Sequence, residues 1–108
     1  MQTANGGEFL SPSGNISCEI DYNRSGIRSA AYCQTMTPAA SVTMDVTGSY
    51  TTCTGERCLG NAGINTPTLA YGTATGVGPF VCDSAAAGIT CTAGGKGFQI
   101  SRSGITPV

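Results

Sequence analysis

Asn15-Ile16-Ser17-Cys18-Glu19-Ile20-Asp21-Tyr22-Asn23-Arg24-Ser25-Gly26-Ile27-Arg28-Ser29-Ala30-Ala31-Tyr32-Cys33 is the stretch that decides the fold. Its first half alternates. Ile16, Cys18, Ile20 and Tyr22 fall on one side and Ser17, Glu19 and Asp21 on the other, the period of a half-buried strand. Asn23-Arg24-Ser25-Gly26 then supplies turn chemistry, and Gly26 tolerates the positive φ that a tight reversal needs. Ile27 to Cys33 returns as a second strand. Setting Cys18 opposite Cys33 centres the hairpin on residues 25 and 26, where the turn residues sit. Directly opposed cysteines on neighbouring antiparallel strands approach closely enough to be bridged. The construction recurs downstream. Phe80 to Asp83 and Ile89 to Thr92 flank Ser84-Ala85-Ala86-Ala87-Gly88, and opposing Cys82 to Cys91 centres that pairing on residues 86 and 87.

Further strands are expected at Ser41 to Thr47, with Val42, Met44 and Val46 inward, and at Tyr50 to Cys53, Thr68 to Tyr71 and Gly97 to Arg102. Cys53-Thr54-Gly55-Glu56-Arg57-Cys58 reads as a small loop closed by its own bridge, on proximity alone. Residues 59–79, with their Gly and Pro content, read mostly as loop, and Gly72 to Gly78 as a flexible one. No helical periodicity extends over about ten residues anywhere in the sequence. The expectation is an all-β protein: a small antiparallel sheet or sandwich of hairpins with three disulfides and Gly/Thr-rich loops. Residues 1–8 read as an extended lead-in and 9–108 as one stapled domain. Its core is expected to centre on Phe9, Ile16, Ile20, Val42, Met44, Val46, Tyr71, Phe80, Ile89, Phe98 and Ile100.

Composition explains why staples matter. The chain has 108 residues, of which 16 are Gly, and Thr, Ala and Ser are the other abundant types. Large aliphatic and aromatic side chains are few, yet charged residues make up only 10% and the net charge is −1, so the high-charge signature of disorder is missing. Six cysteines in so thin an apolar inventory indicate disulfides and an oxidising location. The competing reading, six reduced thiols buried as small core residues, fits the same count. Zinc fits poorly, because the chain has no His and no Cys-x-x-Cys pair. On the chain-entropy account each hairpin bridge contributes roughly 3 kcal/mol.

The same inventory narrows chemistry. Without His there is no His-based triad, general base or metal ligand. Five basic against six acidic residues give no electrostatic case for nucleic acid or an anionic membrane surface, and no apolar run is long enough to span a bilayer. Asp21-Tyr22-Asn23-Arg24-Ser25-Gly26 opens like a calcium loop, but Tyr32 occupies the position of the bidentate Glu, leaving a hairpin turn. Gly72-Thr73-Ala74-Thr75-Gly76-Val77-Gly78 shares only glycine content with a phosphate loop. Lys96, the one lysine, lies in an exposed-looking Gly-rich setting unsuited to Ser-Lys catalysis, and Glu19 and Asp83 read as solvated carboxylates rather than a glycosidase pair. Asn15-Ile16-Ser17 and Asn23-Arg24-Ser25 are formal glycosylation sequons. Tyr22, Tyr32 and Tyr50 are candidate binding residues, set against ordinary strand packing. Catalytic residues, cofactor and metal are therefore all expected to be none, and the site residues are the disulfide cysteines Cys18, Cys33, Cys53, Cys58, Cys82 and Cys91. Met1 to Glu8 has neither the basic nor the apolar region of a secretory signal. The readings are a mature secreted domain with an added start Met, a chain made without a signal and released to the exterior by host lysis, and, third, a cytosolic protein carrying redox-active thiols.

Phe9-Leu10-Ser11-Pro12-Ser13-Gly14-Asn15-Ile16-Ser17-Cys18 resembles the F-x-S-P-S-G-N-I-x-C opening of an uncharacterised family of small extracytoplasmic domains of actinobacteria and their phages. Leu69-Ala70-Tyr71-Gly72 is similar to its L-x-Y-G. Cys82-Asp83-Ser84 with Gly88-Ile89-Thr90-Cys91 is similar to its C-x-S and G-V-x-C, and Gly97-Phe98-Gln99-Ile100-Ser101-Arg102 to its closing G-F-x-x-S-R. The chain departs from the pattern at Lys96, where His is frequent, at Asn61, where Asp is frequent, and in having no Trp. The resemblance implies a disulfide-bonded β-domain and brings no catalytic residues. The expected function is a non-enzymatic structural or binding module, a minor tail or capsid-decoration protein of an actinobacterial phage virion. Its partners would be other virion proteins, further copies of the chain within the particle, or the host cell surface. The alternative is a secreted actinobacterial surface or adhesion domain.

Overall fold

A computed structural model describes residues 6–60 and 66–108. The chain is all-β, with two five-stranded antiparallel sheets and no α-helix among the described residues. The first sheet is a meander of β1 (Gly6–Leu10), β2 (Ile16–Asp21), β3 (Ala30–Thr35), β4 (Ala40–Met44) and β5 (Tyr50–Thr54). The second is a meander of β6 (Ala74–Val77), β7 (Phe80–Ala85), β8 (Gly88–Ala93), β9 (Lys96–Ser101) and β10 (Gly104–Pro107). Each strand pairs with its sequence neighbour, so no long crossover has to be closed.

The inward faces carry the alternation read from the sequence. Ile16, Cys18 and Ile20 of β2 are buried while Ser17, Glu19 and Asp21 are half-buried; on β7, Phe80, Cys82 and Ser84 are buried while Val81, Asp83 and Ala85 are exposed. Of the expected core, Phe9, Ile16, Ile20, Val42, Met44, Phe80, Ile89, Phe98 and Ile100 are buried, joined by Ala31, Val77, Ala93 and four cysteines. The Tyr50 and Phe98 rings meet edge to face across the two sheets, 5.8 Å between centroids.

Two core expectations fail, each because the chain turns earlier than the alternation implied. β4 ends at Met44, and Asp45 begins a tight turn: its Oδ1 accepts from the Thr47 N–H at 2.8 Å and its carbonyl from the Gly48 N–H at 3.1 Å. Val46 therefore leaves the sheet and is exposed. Tyr71 sits at the corner of another turn, where both the N–H and the hydroxyl of Thr73 donate to the Ala70 carbonyl, and it too is exposed.

Segments read as loop or tail pair into the sheets. Ala74 to Val77 forms edge strand β6 despite its glycine, and Gly104 to Pro107 forms edge strand β10. Residues 68–71 are no full strand; they run beside β1 through a single parallel bridge, Leu10 to Thr68. β1 begins at Gly6, within the segment read as a lead-in; residues 1–5, and Asn61 with its neighbours to 65, lie outside the described residues.

Candidate functional site

Six cysteines form three disulfides: Cys18–Cys33, Cys53–Cys58 and Cys82–Cys91. The first and third join residues directly opposite one another, as the centring of the two hairpins requires. Each ties the second strand of its meander to the third. These two bridges point into the space between the sheets, where Cys33 Sγ and Cys91 Sγ are 3.8 Å apart. The four cysteines are 0–4% exposed, so the sulfurs fill the centre of the core that large side chains fill elsewhere. The sulfurs of Cys18, Cys33 and Cys91 also cluster as a metal-ligand set would, but all three are bonded in disulfides.

The third bridge lies on the outer face of the first sheet. It curls the short turn Glu56–Cys58 over β4 and β5. Gln34, 2% exposed although it points outward, fastens the chain that follows. Its Oε1 accepts from the Gly60 N–H at 2.8 Å and its Nε2 donates to the Gly60 carbonyl at 2.9 Å. The Tyr32 hydroxyl lies 2.9 Å from both Gln34 Oε1 and the Cys58 carbonyl. Beneath this loop is a cavity of about 70 Å³ lined by Glu8, Ser17, Glu19, Tyr32, Gln34 and Thr66. Burial pushes the Glu19 carboxyl above the ordinary carboxylate range; Asp21 and Glu8 push the same way, opposed by the Arg24 guanidinium 3.7 Å away.

The motif residues of the opening segment build turns. Ser11 Oγ accepts from the Ile16 N–H, and the Ser11 N–H donates to the Ile16 carbonyl, closing the β1–β2 reversal. The Asn15 side chain then clamps this turn to the next: Oδ1 accepts from the Thr37 N–H and Nδ2 donates to the Thr37 carbonyl, both at 3.0 Å. Gly97 is demanded by close approach, because a Cβ there would stand 2.0 Å from the Cys91 carbonyl oxygen.

An open cleft lies at one end of the sandwich, where the β2–β3 loop, the β4–β5 turn and the β6–β7 turn converge. Tyr22, Asn23, Arg28, Ser29, Asp45, Val46, Thr47 and Pro79 line a cleft of about 620 Å³, within the range of ligand-sized sites. Tyr22 is packed against Gly78, whose missing Cβ makes room for the ring. Asp45 is held below the usual carboxylate range by the Thr47 hydroxyl, then by the Thr47 and Ser49 N–H groups, with a smaller pull from Arg28. The cleft thus combines a cationic donor, an ionised acceptor, an amide, hydroxyls and an apolar patch of Tyr22, Val46 and Pro79. It suits a ligand carrying both hydroxyls and apolar faces.

Of the three candidate tyrosines, Tyr22 lines this cleft, while Tyr32 secures the outer loop and Tyr50 packs on Phe98. Glu19 and Asp83 stand on the outer faces of different sheets, and Lys96 is exposed at the β8–β9 turn. Arg28 and Asp45 had no sequence signal, since three separated loops bring them together. No helix among the described residues is long and apolar enough to cross a membrane. The three disulfides point to an oxidising, extracytoplasmic location. Comparison with family models, curated proteins and solved structures gives no match to this chain.

Proposed function

We propose that this chain is a non-enzymatic structural and binding module, a minor tail or capsid-decoration component of an actinobacterial phage particle. It presents the loop-end cleft to a hydroxyl-rich polymer at the host cell surface. The observation that carries this reading is the pair of disulfides stacked in contact at the centre of the sandwich. Covalent cross-links at the core hold a small domain rigid outside a reducing cell, and a rigid frame spends no ordering entropy when its loops engage a partner. The opening Ser-Pro-Ser-Gly-Asn motif supports a scaffold role, because its side chains are spent on turn-to-turn hydrogen bonds. In the cleft, Arg28 and Asp45 supply a donor and an acceptor for hydroxyls, and Tyr22 an apolar face.

Mass spectrometry of purified particles tests the setting. The reading expects the chain in every particle in fixed copy number. Its absence from particles, with the chain found instead on actinobacterial cells, replaces this reading with a cell-surface adhesion domain. Sedimentation of the oxidised protein with isolated actinobacterial cell walls tests the surface: Arg28→Ala, at an exposed cleft residue, is expected to weaken co-sedimentation sharply without changing the melting midpoint, and undiminished binding contradicts the assignment of the cleft.

A further inference from the structure

We propose that the two core disulfides are an exchange pair: reduction of either one leads to a single Cys33–Cys91 bond that ties the two sheets together. Cys33 Sγ and Cys91 Sγ are already in contact at 3.8 Å, although they belong to different disulfides on different sheets. Exchange proceeds by attack of a thiolate on a disulfide sulfur, and its first requirement is this kind of approach.

The step balances without further reagents once a dithiol or phosphine reductant has delivered two electrons. Reduction of Cys82–Cys91 gives two thiols. The Cys91 thiolate attacks Cys33 Sγ; the Cys33–Cys91 bond forms as Cys18–Cys33 breaks, the bonding pair leaves with Cys18 Sγ, and Cys18 takes up the proton that Cys91 released. Reduction of Cys18–Cys33 leads to the same product, with Cys33 attacking Cys91 and Cys82 leaving. In each case the product has one core disulfide, Cys33–Cys91, and thiols at Cys18 and Cys82. Cys18 is 4% exposed and the other three cysteines 0%, so once a reductant has opened one bridge, the neighbouring disulfide 3.8 Å away competes favourably with external thiols for the new thiolate. Bonds across the two sheets of a sandwich are sterically sound, as immunoglobulin domains illustrate. The exchanged bond links residues 58 apart in the chain, against separations of 15 and 9 in the starting disulfides. It therefore constrains the unfolded chain more than the bond that was lost. A domain that meets a reductant once keeps a clasp across its core.

The test is limited reduction of the native protein with a water-soluble phosphine, acid quenching, alkylation and peptide mapping without further reduction. Cys53 and Cys58, on the outer face, are alkylated independently and do not enter the readout. Among species with two core thiols, the expected map has alkylated Cys18 and Cys82 and peptides joined through Cys33 and Cys91. Core thiols confined to the pair Cys18 and Cys33, or to Cys82 and Cys91, overturn the proposal, as does an all-or-none passage to four core thiols. As a second arm, the Cys18→Ser/Cys82→Ser variant is refolded in air. The proposal expects a Cys33–Cys91 disulfide in the folded product, and a folded variant that retains both thiols in air contradicts it.

Discussion

Removing the Cys18–Cys33 bridge by double alanine substitution is expected to cost about twice as much stability as removing Cys53–Cys58, although both are local cross-links. The two bridges close 15 and 5 residues of chain, and Cys82–Cys91 closes 9. Loop-closure entropy assigns them about 3, about 2 and about 2.6 kcal/mol respectively. Burial separates them further. Cys18 and Cys33 are 4% and 0% exposed, and the Cys33 sulfur contacts the other core disulfide, so truncation also opens a void worth about 1 kcal/mol or more. Cys53 is exposed and leaves no void. The expected costs are therefore about 4 kcal/mol for either core pair and about 2 for the outer one. For a chain of this size 4 kcal/mol corresponds to a fall of roughly 15–30 °C in midpoint. Urea unfolding followed by circular dichroism, with the three double variants side by side, gives the comparison. Equal costs for the core and outer pairs would refute the claim that the stacked disulfides serve as core packing as well as cross-links.

Four further outcomes are expected. Gly48→Ala should destabilise by about 2 kcal/mol or more in the same assay, because Gly48 has φ 87° and a Cβ would stand 2.6 Å from the Ala93 carbonyl oxygen. Gln34→Leu should cost about 1–2 kcal/mol by removing its two part-buried hydrogen bonds to the Gly60 backbone, and hydrogen exchange at Gly60 should accelerate with it. Asn15→Ala, which unclamps the β1–β2 and β3–β4 turns, should cost about 1–2 kcal/mol by the same measure. The raised folded-state pKa of Glu19 means that the folded protein binds its proton more tightly than the unfolded chain. Its penalty is present above the folded pKa and relieved below the ordinary carboxyl value of 4.5, so Glu19→Gln should be at least as stable as the parent at pH 7, with the advantage vanishing below pH 4.5. A Glu19→Gln variant less stable than the parent at pH 7 would show that the Arg24 contact outweighs burial.

How much was legible depended on whether a signal was local. The two disulfide hairpins were, because opposing cysteines and turn residues shared a centre; the structure puts Cys18 opposite Cys33 and Cys82 opposite Cys91. The β2–β3 loop is nonetheless longer than the four turn residues, running from the end of β2 at Asp21 to the start of β3 at Ala30. Val46 and Tyr71 misled because apolar residues just past a strand continue the alternation in sequence while the backbone has already turned. Edge strands were the least visible. β6 carries Gly76 and β10 ends at Pro107, residues that weaken a strand signal but are tolerated where one side of the strand faces solvent. The cleft was invisible for a different reason: Tyr22, Arg28, Asp45 and Pro79 come from three loops, and only the packing of the two sheets assembles them.

The measurement closest to the heart of this account is a thiol count on the native protein joined to its thermal unfolding before and after complete reduction. The account predicts no titratable thiol in the native material, one cooperative transition, and a midpoint lowered by tens of degrees once all six cysteines are reduced. Free thiols in the native protein, or a midpoint that stays in place after verified reduction, would contradict it.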